Sequence, residues 1–188
     1  MIRCLIRSIM LNRRAQTMPE MLIAAFITVI FFTSALGVFV VARTMYVTGM
    51  AGQDLQRDVN AVVSTMVRGV TENNTKTGLR SATKYTLNSV TSISFDGPPP
   101  DSTTRQYYVG PGGIIYDSPR QSPNPKVIYN TPANATLTLR FWDPFSSDPN
   151  KKDETIGIYM SVSKVISGKS VSGSLATYVN IKNKNLVP

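Results

Sequence analysis

The sequence predicts an α+β protein, with one long N-terminal helix, membrane-spanning in its first half, packed on a mostly antiparallel β-sheet head. Three observations carry that expectation. Met21 to Ala42 is a run of 22 residues with no ionisable side chain, and ~20 apolar residues let a helix cross a bilayer core. Leu55, Val59, Val62, Met66 and Val70 then recur at helical spacing, with Val63 beside them, as a stripe that faces a core does. From Lys84 onward the apolar period changes to two, which marks strands with one buried face.

The first element begins before the apolar run. Arg3, Arg7, Arg13 and Arg14 precede it, and such charge holds an N-terminus in the cytoplasm. Pro19 suits the first turn of a helix, where its missing N–H would be unpaired anyway. Thr17 lies three residues before Glu20, the spacing of a capping box. That chemistry starts a helix, yet it does not explain an acid inside the apolar end, where a carboxylate is costly without a partner. A plain signal anchor fits the same stretch. So does a secretory signal cut after Ala35, where Thr33 and Ala35 form a small-x-small pattern, although Leu36 to Val41 would then remain on the mature end. Arg13-Arg14 has no other part of a twin-arginine signal around it.

The segment Arg13-Arg14-Ala15-Gln16-Thr17-Met18-Pro19-Glu20 and the apolar run after it resemble the N-terminus of type IV pilins and of the pseudopilins of type II secretion systems. The resemblance implies cleavage between Ala15 and Gln16 by a prepilin peptidase and methylation of the new Gln16 amine. Gln16, Thr17 and Glu20 become the assembly residues, with Glu20 pairing with the amine of a neighbouring subunit. The family most often has glycine before the cut and phenylalanine after it, where this chain has Ala15 and Gln16. A buried charge survives when it is paired, so the physics of a filament core agrees with that role. The implied partners are other pilin-like subunits, the prepilin peptidase and an inner-membrane assembly platform. The implied location is the bacterial inner membrane, single pass, with the leader in the cytoplasm and the head in the periplasm, and then a filament or the cell surface.

Length and composition narrow the function. A chain of 188 residues suits one domain with an appendage. The expected division is a cleaved basic leader over 1–15, a membrane or filament-core helix over 16–43, the extramembrane half of the helix over 44–78, and a β head over 79–188. Removing the four leader arginines lowers the net charge from +9 to +5, which is ordinary basicity. Cys4, the only cysteine, sits in the leader, and the absence of a disulfide in the mature head leans toward a minor pilin or pseudopilin. With no histidine in the chain, the commonest general base and metal ligand is missing. Zinc and Cys–His nucleophilic sites are therefore excluded as ordinary designs. The expectation is a structural subunit, not an enzyme, with no cofactor or metal.

A helix from Pro19 to about Glu72 would be ~80 Å long at 1.5 Å per residue, with Asn73, Asn74 and Gly78 marking its end. Beyond it, Tyr85 and Leu87, Ile93 and Phe95, Leu137 to Phe141, Ile156 to Val162, and Leu175 to Ile181 alternate with polar residues. Turn formers separate them at Asp96 to Pro100, Gly110-Pro111-Gly112-Gly113, Ser118 to Pro125 and Ser167 to Lys169. Such short spacing favours hairpins, and one helix stripe with one sheet face makes a two-layer domain. Gln53 to Val70 and the ending from Leu175 also resemble minor pseudopilins of the J-type class.

Two further constellations combine ligating or stacking side chains. Asp143, Asp148, Asp153 and Glu154 could offer oxygen ligands to calcium, but prolines and lysines interrupt them and a solvated turn fits better. Tyr107, Tyr108, Tyr116, Tyr129 and Trp142 lie near Arg105, Arg120, Lys126 and Arg140, a mixture that can bind nucleic acid and that strand cores also supply. A DNA-binding or adhesive module is one alternative function, and a simply anchored or secreted β-domain is the other.

Overall fold

The computed structural model describes residues 17–72, 75–98, 103–119, 123–148 and 154–181. The chain divides into two units, Met1–Tyr46 and Val47–Pro188. Helix α1 (Met18–Arg68) contributes its first part to the first unit and its last turns to the second. The architecture is α+β, and every strand pair among the described residues is antiparallel.

In the first unit every side chain from Thr17 to Arg43 is exposed in the isolated chain. The stretch is long and apolar enough to cross a membrane. Four hydroxyls in and just beyond it turn back onto the helix, which suits an apolar medium. Thr28 donates to the Ala24 carbonyl at 2.7 Å, Ser34 to Ile30 at 2.8 Å and Thr44 to Val40 at 2.9 Å. Thr33 donates to Val29 and to Ile30. Lipid offers no hydrogen-bond partner, so such internal bonding is what a hydroxyl needs there.

In the second unit α1 is amphipathic, with Leu55, Val59, Val62, Val63 and Met66 buried. It stops at Arg68, four residues before the expected end. Gly69 adopts φ +102° and donates to the Thr65 carbonyl at 2.8 Å, the left-handed cap that glycine favours. Val70, expected on the helix stripe, is buried instead in a small hairpin, β1 (Val70–Glu72) with β2 (Thr75–Thr77). A Cβ on Gly78 would lie 2.3 Å from the Gly69 nitrogen, so the two glycines let the chain pass close to the helix end.

A 3-10 turn (Leu79–Ser81) leads into β3 (Lys84–Ser89), β4 (Ser92–Asp96), β5 (Thr104–Gly110), β6 (Gly113–Asp117) and β7 (Lys126–Asn130), which form a five-stranded meander in sequence order. The glycine-rich segment after β5 makes the expected hairpin, with Pro111 and Gly112 at the turn. Strands β8 (Ala135–Trp142), β9 (Thr155–Ile166) and β10 (Lys169–Asn180) form a second sheet in the order β10-β9-β8. The head thus has two principal sheets where the alternation suggested one. Both contribute to one core with the helix stripe, including Ile93, Tyr107, Ile114, Leu139, Ile158 and Met160. On the meander, Phe95 and Tyr107 stack at 5.2 Å between ring centroids, and Tyr107 and Tyr116 lie 5.2 Å apart.

The helix and β10 meet at unusually close range. A Cβ on Gly173 would lie 2.6 Å from both the Gln56 nitrogen and the Leu55 carbonyl carbon. Gln56 then closes the free edge of β10. Its Nε2 donates to the Ser174 carbonyl at 3.0 Å, and its Oε1 accepts the Ser174 N–H at 3.1 Å. One side-chain amide thereby takes the place of a neighbouring strand at an edge that would otherwise be open to pairing. On the outer face of this sheet the rows run Trp142–Gly157–Tyr178, Arg140–Tyr159–Ala176, Thr138–Ser161–Ser174 and Thr136–Ser163–Ser172.

Gly173→Val tests the close approach. The new side chain meets helix backbone, which cannot move aside, so the full chain in micelles should lose ~1–3 kcal/mol or more of unfolding free energy. An unchanged denaturant midpoint would mean that α1 and β10 do not touch there. Tyr129 supplies a second test. Its hydroxyl is buried with no hydrogen-bond partner among the described residues, and burial first, then the Asp58 carboxylate, raises its pKa above the ordinary tyrosine value. The unfolded chain therefore ionises first, and the phenol's contribution to stability, complete below pH ~10, is lost as pH climbs through the folded pKa. Comparing alkaline unfolding of the parent and Tyr129→Phe should show a steeper loss in the parent. Parallel curves would show that the phenol is not held neutral by the fold.

Candidate functional site

The candidate site is the start of α1, where backbone geometry and a single carboxylate meet. Thr17 immediately precedes the helix, and its carbonyl accepts the Met21 N–H at 3.2 Å. Glu20 Oε2 accepts the Thr17 N–H at 2.9 Å. This is the carboxylate half of a capping box, with the acid three residues into the helix where its charge also suits the positive end of the dipole. The Thr17–Glu20 spacing was thus a sound guide to local structure. Pro19 sits in the first turn and forfeits no helical hydrogen bond.

A carboxylate has two oxygens and about four acceptor sites. The bond to Thr17 uses one, so Glu20 can keep its own helix start and still accept a second donor. Both residues are exposed in the isolated chain, as are Met21, Leu22, Ile23 and Phe26 next to them. Ala15 and Gln16, the proposed cleavage and amine residues, lie outside the described residues. The site therefore presents an acid at the edge of a large uncovered apolar surface, and such surface needs lipid or protein around it.

Elsewhere the fold rearranges the constellations read from sequence. Arg105, Tyr107, Tyr116 and Tyr129 are buried in the head, so they form core and not a nucleic-acid surface. Arg120 lies outside the described residues. Trp142, half-buried, and Arg140, exposed, lie on the outer face of the β8–β10 sheet, and there the register brings Tyr159 and Tyr178 beside them. That grouping was not foreseen, because its members lie on three strands. In the acidic loop, Asp143 Oδ1 accepts the Phe145 N–H at 2.8 Å and Asp148 donates its N–H to the Phe145 carbonyl at 2.9 Å. This is local turn bonding of the kind aspartate commonly makes. Asp153 lies outside the described residues.

No family model, curated protein or solved structure matches the chain. The long apolar N-terminal helix and the antiparallel sheets are compatible with a pilin-like fold.

Two substitutions separate the local role of Glu20 from its charge. Glu20→Gln retains an oxygen that can accept the Thr17 N–H, whereas Glu20→Ala does not, and loss of a capping interaction costs about 0.5–2 kcal/mol. Amide exchange at Thr17 in micelles should be faster in Glu20→Ala than in Glu20→Gln. Equal rates in the two variants and the parent would show that the side chain does not hold the helix start.

Proposed function

We propose that the chain is a structural subunit, a minor pilin or pseudopilin, that a prepilin peptidase processes and that assembles into, or primes, a type IV pilus-like filament or secretion pseudopilus. The observation that carries this reading is the position of Glu20, one residue before an apolar segment that has no protein cover of its own. Moving from lipid into a filament leaves the apolar side chains in an apolar medium and so costs them little. It leaves the carboxylate in need of a positive partner, because an unpaired buried charge is expensive. Cleavage between Ala15 and Gln16 would create such a partner, the α-amine of Gln16, and a neighbouring subunit would bring it to the free acceptor sites of Glu20.

Several features fit this role. The back-bonded hydroxyls of Thr28, Thr33, Ser34 and Thr44 permit either lipid or another helix as neighbour. The last turns of α1 are amphipathic and bury their apolar stripe in the head core. A minor subunit is favoured over a major one by the absence of cysteine after Cys4 and by the J-type resemblance of Gln53 to Val70. The subunit would lie in the inner membrane with its head in the periplasm before assembly. Its partners would be other pilin-like subunits, the peptidase and an assembly platform.

Glu20→Gln tests the charge itself, since it keeps an acceptor for the helix start. Expressed with its assembly machinery, this variant should insert and be processed normally yet pellet with filaments at no more than ~1% of the parent level, given the ~3–5 kcal/mol lost when one partner of a buried pair is removed. Glu20→Asp should recover part of the assembly. Normal filament incorporation of Glu20→Gln would contradict the pairing mechanism, whereas a parent chain that never pellets with filaments would be an anchored β-domain protein.

A further inference from the structure

We infer that the outer face of the β8–β10 sheet binds an acidic polysaccharide, with a sugar ring stacked on Trp142 and its carboxylate held by Arg140. The inference stands apart from filament assembly, because it concerns the head alone. Its basis is the row Trp142–Gly157–Tyr178. A Cβ on Gly157 would lie 2.1 Å from Trp142 Cε2 and 2.5 Å from Cδ2 and Cζ2, so the indole lies across the space above the central strand that a side chain would fill. Tyr178 meets it edge-on, with centroids 5.8 Å apart and planes at 79°, and remains 64% exposed. Glycine is what lets the ring lie down on the sheet, and the neighbouring tyrosine fixes it there.

A ring laid on a sheet presents a flat apolar surface with a polar rim. Two ligand classes stack on such a surface, nucleobases and the C–H faces of sugars. Charge separates them. The next row carries Arg140 and Tyr159, and the rows beyond it carry only serine and threonine hydroxyls. Among these four described rows there is one cation and no acid. A nucleic-acid backbone is held by several cations along its track, which this face lacks. One guanidinium suits a single carboxylate, which it can hold through two parallel hydrogen bonds. The hydroxyl rows both donate and accept, as the hydroxyls of a sugar chain do. Adjacent rows are about 6.6 Å apart along a strand, which places the guanidinium row beside a ring stacked on Trp142.

Trp142 is the only tryptophan in the chain, so its emission reports this face directly. The full chain in a zwitterionic detergent should show a saturable emission change with polygalacturonate and none with neutral dextran. Arg140→Gln should weaken the response ~10-fold or more, and Tyr178→Ser should weaken it several-fold, the range expected for an aromatic contact. Both residues are exposed, and unchanged thermal unfolding would confirm that each variant folds. No saturable change with polygalacturonate, an equal response to dextran, or an unaltered Arg140→Gln affinity would overturn the inference. A stronger response to a single-stranded oligothymidylate would overturn it in favour of nucleic acid. An emission change that follows protein concentration alone would overturn it in favour of a second copy of this chain.

Discussion

The structure depends on one helix whose two halves suit different media. Over Met21 to Ala42 its side chains are uncharged and predominantly apolar all round, a surface that lipid or other apolar helices suit. Over Leu55 to Met66 the same helix is apolar along one stripe and polar elsewhere, which water and a core together require. No loop separates the regimes, because α1 runs unbroken from Met18 to Arg68. Arg43, the first charge after the apolar run, and the polar residues from Gln53 onward mark where the change of regime begins.

The head is built around the watery end of that helix. Two sheets share its stripe, and glycines decide where elements approach most closely. Gly173 lets β10 lie against helix backbone, while Gly157 gives up its side-chain space to an indole from the neighbouring strand. Gln56 adds a specific bond at the sheet edge, so the helix both fills the core and protects β10 from pairing with another chain. An amide that satisfies both backbone groups of Ser174 also fixes the register of helix against strand.

Much of this was legible in the sequence, for physical reasons that can be named. The helix stripe and the strands carrying Leu139, Phe141, Ile156, Ile158 and Met160 bury one face each, so their periods survive in the order of residues. Strands β5 to β7 were harder to see. Gly113 to Asp117 is buried on both faces, and Tyr107-Tyr108 and Ile114-Ile115 put apolar groups on both sides of the sheet, which erases alternation. The helix end was misplaced because Val70 continues the stripe numerically but is buried from a strand. Glycine at 69 was the overlooked signal. At the site, the Thr17–Glu20 spacing was readable because capping is local. The Trp142, Tyr159 and Tyr178 grouping was not, because register between strands is a long-range property.

The most direct test of the account is the intact mass of the membrane-extracted protein, measured with and without a prepilin peptidase. The account predicts a chain that begins at methylated Gln16 only when the peptidase is present, with α1 and the head retained. A chain that begins after Ala35, or one that keeps Met1 in the presence of active peptidase, would contradict it, because neither provides a Gln16 amine for Glu20.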